Sequence, residues 1–186
     1  RDRSPSRGLG DVYKRQVDKL RDTTQSHDRC SVVEVMGRGA GNIALNAGIA
    51  CGATYVITSE IPYDLDKVAK KMLESRKTGK QHFIIVVSEG VGHSDEIART
   101  LQDKTGIEAR TTILGHVQRG GAPTVRDRVV ASQMAYYAVE LLSQGIGNRV
   151  VGMQNSKIVD FDIQEALSMK KPFEEELYHI AGEIAF

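Results

Sequence analysis

Cys30-Ser31-Val32-Val33-Glu34-Val35-Met36-Gly37-Arg38-Gly39-Ala40-Gly41 is the stretch that decides the fold. A nearly unbroken apolar, β-branched run stops abruptly at a glycine-rich turn, and the residues after it, through Cys51, take up helical spacing. Runs of this kind belong to strands covered on both faces, which is the situation of a parallel sheet. A second segment, Leu114-Gly115-His116-Val117-Gln118-Arg119-Gly120-Gly121, follows the run Thr111–Leu114 in the same way. Both turns therefore emerge where strands end, the place where open α/β sheets bind ligands. Glycine lets backbone N–H groups approach an oxygen anion, and arginine adds a planar fork of donors suited to phosphate. The two turns are expected to form one anion site for a phosphorylated small molecule.

Outward from this stretch, strands and amphipathic helices alternate. The pattern predicts strands at Cys30–Met36, Thr54–Thr58, His82–Val87 and Arg110–Leu114, and helices at Gly41–Cys51, Asp64–Thr78 and Ser94–Lys104. Gly52, Gly79 and Gly106 fall where these helices should stop. The expected fold is α/β, a doubly wound, mostly parallel sheet with helices on both faces. A long helix over Thr124–Gln144 carries Val129, Val130, Met134, Ala138, Leu141 and Leu142 on what should be its core face. A strand at Val150–Gln154, a short strand at Lys157–Val159 and two helices from Ile163 onward complete the chain.

Composition narrows the function classes. At 186 residues, with 40% hydrophobic and 26% charged content, the chain can bury one good core, with a lobe attached at most. The first sixteen residues carry a charge of +3 within a total of +1, which leaves −2 for the rest and argues against a nucleic-acid partner. The two cysteines, Cys30 and Cys51, form no C-x-x-C pair and no zinc-type cluster with histidine, so no disulfide framework or structural metal is expected and a reduced, cytoplasmic setting fits. No apolar stretch approaches a membrane span, and none near the N-terminus resembles a signal peptide.

Residues 1–16 differ in character from everything after them. Asp11-Val12-Tyr13-Lys14-Arg15-Gln16 reads as the in-frame translation of a sequencing adapter, so the segment is set apart as a non-native leader. A basic flexible arm and a solvated linker are the competing readings.

Three motifs carry a family resemblance: Val32-Val33-Glu34-Val35-Met36-Gly37-Arg38, Ser88-Glu89-Gly90, and Leu114-Gly115-His116-Val117-Gln118-Arg119-Gly120-Gly121-Ala122-Pro123. From about Val17 to its end the chain resembles the C-terminal half of bacterial ATP-dependent 6-phosphofructokinase. The resemblance implies transfer of a phosphoryl group from MgATP to fructose 6-phosphate. Most of the ATP and Mg²⁺ site, and the aspartate that acts as general base, would lie in a half not present here, so the chain alone is expected to be inactive. The resemblance assigns Met36, Gly37, Arg38, Glu89, His116 and Arg119 to fructose 6-phosphate, with Arg38 also approaching the transferring phosphoryl group as fixed positive charge. Read from the residues alone, the competing readings are a helix-capping acid for Glu89, an ordinary loop histidine for His116 and a solvated helix-start arginine for Arg38. The implied layout is a substrate-binding domain at 17–119, a segment at 120–167 that packs onto the ATP-binding domain, and a helix at 168–186 that returns to the substrate domain.

Arg29 and Arg110 match family positions that bind the sugar 6-phosphate. Seven residues separate Arg29 from Met36 and six separate Arg110 from His116, so each arginine lies about 20 Å from the glycine turns at the usual strand rise. One sugar phosphate cannot span that gap, so the two arginines are expected to serve a neighbouring subunit in a homo-oligomer, a tetramer in the intact family. The plain alternative is a pair of surface charges flanking the sheet. Arg21 and Lys80 match positions of a nucleotide effector site, where ADP would bind, but Thr54 and Thr78 stand where relatives have an acid and a base. Blunted regulation is the expected result. A pyrophosphate-dependent relative and a non-catalytic sugar-phosphate-binding protein remain alternatives, whereas Gly37, Gly39 and Gly41 lack the G-x-G-x-x-G spacing of a dinucleotide site.

Overall fold

A computed structural model describes residues 17, 28–120, 122–169 and 172–185. The leader 1–16 and Arg21 lie outside the described residues. The chain divides into two compact units, one built from 10–120 and 173–186 and the other from 1–9 and 121–172.

In the first unit the Val- and Ile-rich runs become β1 (Arg29–Val35), β2 (Tyr55–Ile57), β3 (Phe83–Ser88) and β4 (Glu108–Ile113). Between them lie α1 (Asn42–Ala50), α2 (Leu65–Lys77) and α3 (Ser94–Thr105), with α6 (Glu175–Ile184) returning at the end. The strands form one parallel sheet in the order β2-β3-β1-β4. Every residue of β3 is buried, as expected for an inner strand without polar alternation.

Alternate residues of β1 and β3 feed two cores. Cys30, Val32, Phe83, Ile85 and Val87 pack against Val68, Ala69 and Met72 of α2 and Ile97, Ala98 and Leu101 of α3. Val33, Val35, Ile84 and Val86 pack against Ala44 of α1, with Tyr178 of α6 beside them and Val17 buried in the same cluster. Tyr178 also donates its hydroxyl to the Val56 carbonyl at 3.1 Å, and Lys71 donates to the Gly182 carbonyl at 2.6 Å, which pins α6 at two points. The chain thus leaves β1 toward one face and the adjacent β3 toward the other. That divergence opens a crevice above their carboxyl ends.

Helix ends follow their local chemistry. Asp64 caps α2 by accepting from the Asp66 N–H at 2.8 Å, and Gly106 ends α3 in the left-handed region at φ 68°.

The second unit pairs α4 (Val125–Ser143) with an antiparallel hairpin, β5 (Arg149–Gln154) and β6 (Lys157–Asp162), followed by α5 (Ile163–Ser168). Thr124 and Asp127 close a reciprocal capping box at the start of α4. The hairpin turns at Asn155 and Ser156, with φ of 51° and 62°. β6 runs three residues beyond the expected Val159, because Asp160 and Asp162, which interrupt the apolar pattern, face Val151 and Arg149 across the ladder. Asp160 also accepts from Arg149 Nε at 2.5 Å and from the Tyr137 hydroxyl at 2.7 Å.

The core face expected for the long helix is narrower than its apolar content. Leu141 is buried and Val130, Met134 and Ala138 are half-buried, which marks one stripe at helical spacing. Val129 and Leu142 lie off that stripe and are 51% and 66% exposed.

Candidate functional site at the carboxyl end of the sheet

All three motifs meet above the carboxyl ends of β1, β3 and β4. Met36–Gly41 follows β1, Glu89 and Gly90 follow β3, and Gly115–Arg119 forms a 3₁₀ turn directly after Leu114. Parallel register aligns the strand ends, with Val35 beside Ser88 and Glu34 beside Ile113. Sequence-distant turns therefore become neighbours.

The first turn has a demanding backbone. Gly37 has φ 150°, and a Cβ there would lie 2.4 Å from the Ala40 carbonyl oxygen, so only glycine fits. Arg38 follows in the left-handed region at φ 51°. This conformation turns the N–H groups of Gly37 and Arg38 toward Glu89, whose Oε2 accepts from both, at 3.0 and 2.8 Å. Gly90 lets the two loops close, since a Cβ there would meet the Arg38 carbonyl oxygen at 2.5 Å.

Those bonds alter the expectation for the glycine turn. Its N–H groups do not wait for an external anion. Glu89 serves Gly37 and Arg38, and Glu60, after β2, accepts from the Gly41 N–H at 2.6 Å at the start of α1. N–H groups left over at a tight turn or helix start are costly without a partner, and acids from adjacent strand ends supply it. Glu89 is exposed, and its carboxyl is held below the usual carboxylate range by the Arg38 and Gly37 N–H donors, with the charges of Arg38 and Arg119 adding to the effect. Arg38, Glu89 and Arg119 thus form one electrostatic group. His116 lies on the same 3₁₀ turn as Arg119, and both are exposed.

Gln118 joins the turns. Its side chain is fully buried, and Oε1 accepts from the Met36 N–H at 3.1 Å. Its Nε2 is buried without a hydrogen-bond partner. Neither Gln118 nor Glu60 stands out in the sequence, because a polar residue in a loop is expected at the surface and these act through long-range contacts. The one local sign for Glu60 is an acid within three residues of the end of β2.

The remaining expected residues lie elsewhere in the unit. Arg29 is the first residue of β1, at the amino end of the sheet, whereas Arg110 is the third of β4, opposite Ser31, because β4 begins at Glu108, two residues before the expected start. Both donate to the Glu108 carboxylate, from Arg29 Nε at 2.8 Å and Arg110 Nε at 2.9 Å. Lys80 follows α2 and is half-buried, and burial, with the neighbouring Lys71 charge, lowers its ammonium pKa. Thr54 is fully buried with its hydroxyl unpartnered, and Thr78 caps α2 by donating to the Ser75 carbonyl at 2.8 Å. Among the described residues no group of three or more His, Cys, Asp or Glu side chains is placed to hold a metal ion, and no helix is long and apolar enough to cross a membrane.

Residues 11–142 match the sequence profile described as phosphofructokinase. The chain belongs to the phosphofructokinase family. The match begins at Asp11, inside the segment read as foreign. An ATP-dependent 6-phosphofructokinase of Clostridium botulinum (strain Hall) is 53% identical over 165 residues, covering 89% of this chain and 52% of that protein. One from Clostridium tetani is 51% identical over 170 residues, covering 91% of this chain and 53% of the relative. The chain therefore spans about half the length of the curated phosphofructokinases it matches. Among solved structures, phosphofructokinase from Saccharomyces cerevisiae superposes with a TM-score of 0.80 at 30% identity, over 96% of this chain and 25% of that one. A pyrophosphate-dependent phosphofructokinase from Marinobacter aquaeolei shares the fold, with a TM-score of 0.74 at 20% identity over 91% of this chain and 50% of that one. The phosphofructokinase fold accounts for the parallel sheet with helices on both faces.

Proposed function

We propose that this chain is the fructose 6-phosphate half of an ATP-dependent 6-phosphofructokinase, a cytoplasmic glycolytic enzyme. The supporting observation is 53% identity to the Clostridium botulinum enzyme over 89% of the chain. In this reading Glu89 Oε2 fixes the Gly37–Arg38 backbone, and Oε1 accepts a sugar hydroxyl. Met36 and Gly37 shape the floor, while His116 and Arg119 donate to the sugar phosphate from the second turn. Arg38 supplies fixed positive charge beside the phosphoryl group in flight, where a preorganised cation favours the transition state over the ground state. Its removal lowers kcat more than it raises KM.

MgATP is held by the other half of the enzyme, which also supplies the general base, and magnesium neutralises phosphate charge there. This chain alone therefore binds without turning over. Arg29 and Arg110 take the 6-phosphate of a sugar bound to a neighbouring subunit of a homotetramer. Rotation between subunits then changes substrate affinity, which makes the enzyme allosteric. Arg21 and Lys80 serve an effector site, whose grip on a diphosphate is weakened by threonine at positions 54 and 78.

Titration calorimetry on this chain tests the site, with fructose 6-phosphate expected to bind more tightly than glucose 6-phosphate. Joined to the first half of the Clostridium botulinum enzyme, the chain should restore ATP-dependent phosphorylation of fructose 6-phosphate. Equal affinity for both sugars, or a folded and inactive chimera, refutes the assignment.

A further inference from the structure

Arg29 and Arg110 share a single carboxylate. Arg29 Nε donates to Glu108 Oε2 at 2.8 Å, and Arg110 reaches Oε1 through Nε and a terminal guanidinium nitrogen, each at 2.9 Å. The register explains the meeting: Arg29 pairs with Glu108 across β1 and β4, and Arg110 lies two residues farther along the same strand. Paired positions in parallel strands, and positions two apart in one strand, present side chains to the same face. Two charge-assisted N–H···O bonds and a further ion-pair contact, from two planar forks, converge on one oxyanion, as guanidinium groups do around a phosphoryl group. The cluster is open to solvent, with side-chain exposures of 28% for Arg29, 63% for Arg110 and 46% for Glu108.

We propose that Glu108 is a built-in competitor at the Arg29–Arg110 oxyanion site, holding both guanidinium groups until a phosphoryl group displaces it and so setting which anions the site accepts. The proposal rests on the reading above that these arginines take a phosphate. A tethered carboxylate is present at an effective concentration in the millimolar range or higher, so an external ligand must beat it rather than fill an empty site. A carboxylate from solution offers the same two oxygens and the same single charge as Glu108, and gains nothing by exchange. A phosphate dianion offers three terminal oxygens and nearly twice the charge, enough to serve both forks together. Selectivity comes from the internal occupant: it raises the threshold for every anion, and only the phosphoryl dianion clears it. Without Glu108 the pair would accept carboxylates and phosphates alike.

The ¹H–¹⁵N resonances of the arginine Nε–H groups report on this directly, with the 186-residue chain titrated by inorganic phosphate and, separately, by acetate. Glu108→Gln is expected to tighten phosphate binding about tenfold, combining release of the competitor with removal of a nearby negative charge. It is also expected to let acetate shift the Arg29 and Arg110 resonances, which stay still in the native chain. Glu74→Gln, which removes an exposed acid from α2, should change neither titration. Phosphate binding by Glu108→Gln that is no tighter than native, while Arg110→Ala still weakens it, overturns the competitor and leaves the phosphate site standing. Equal tightening in Glu74→Gln also overturns the competitor, because net charge then suffices. Unchanged phosphate binding in both Arg29→Ala and Arg110→Ala overturns the site and the competitor with it.

Discussion

Replacing Gln118 by alanine removes a side chain that ties the turn after β4 to the turn after β1. The hydrogen bond to the Met36 N–H is lost and that donor is left in a partly buried place, a cost of about 1–3 kcal/mol. Gln118 has no exposed surface, so deleting four heavy atoms leaves a void of about 50 Å³, worth about 1 kcal/mol if the loop does not collapse into it. The native Nε2 is itself buried without a partner, and its removal offsets about 1 kcal/mol. The net expectation is a loss of about 1–3 kcal/mol, measured by urea unfolding with linear extrapolation. Gln118→Met isolates the hydrogen bond by keeping most of the volume, and should cost less than alanine. The decisive reading is hydrogen exchange at the Met36 amide, which should lose its protection in both variants while the amides of β3 keep theirs. Native-like protection at Met36 in Gln118→Ala would mean that the two turns are held together by something else.

Three further perturbations follow from the same geometry. Glu89 has its folded pKa lowered from 4.5, so its contribution to stability is present above that value and is lost as pH falls below it; Glu89→Gln should flatten the acid side of the stability profile, read by thermal melts across pH 3–6. An unchanged acid limb would show that the Gly37 and Arg38 donors do not hold Glu89 in solution. Burial pushes the Cys30 thiol from 9.0 up to about 12, so its stabilising share is complete below pH 9 and is lost as pH rises toward 12. At pH 8 the thiol should resist alkylation in the folded chain and react once urea unfolds it, and labelling of the native chain at the unfolded rate contradicts this. Gly90→Ala drives a Cβ to within 2.5 Å of the Arg38 carbonyl, so it should part the two loops and weaken fructose 6-phosphate binding at least tenfold, with little loss in Tm; native affinity by calorimetry would show that the loops need not touch.

The alternation of strands and helices was legible because it is written in nearest-neighbour terms. Unbroken Val and Ile runs such as Phe83–Ser88 can only be strands covered on both sides, and helix stops at Gly79 and Gly106 reflect a conformation that glycine reaches without penalty. β6 runs past its apolar pattern because the aspartates that break that pattern find partners in another strand and in α4, which no local window shows. The same limit hid the roles of Glu60 and Gln118 and left the glycine turn looking like an empty anion site.

By itself, then, the sequence determined the fold class, the order of elements and the two turns that flank the crevice, since backbone conformation and the period of apolar residues are set over a few neighbouring positions. Only the tertiary structure decided which donors meet which acceptors: that Glu89 fills the Gly37–Arg38 turn, that Gln118 holds Met36, and that Glu108 lies between Arg29 and Arg110. Apart from Glu108 and Arg110, two residues apart in one strand, those partners stand about 50 to 80 residues apart in the chain and become neighbours through parallel register, and a hydrogen bond, unlike a helical period, exists only once both ends are in place.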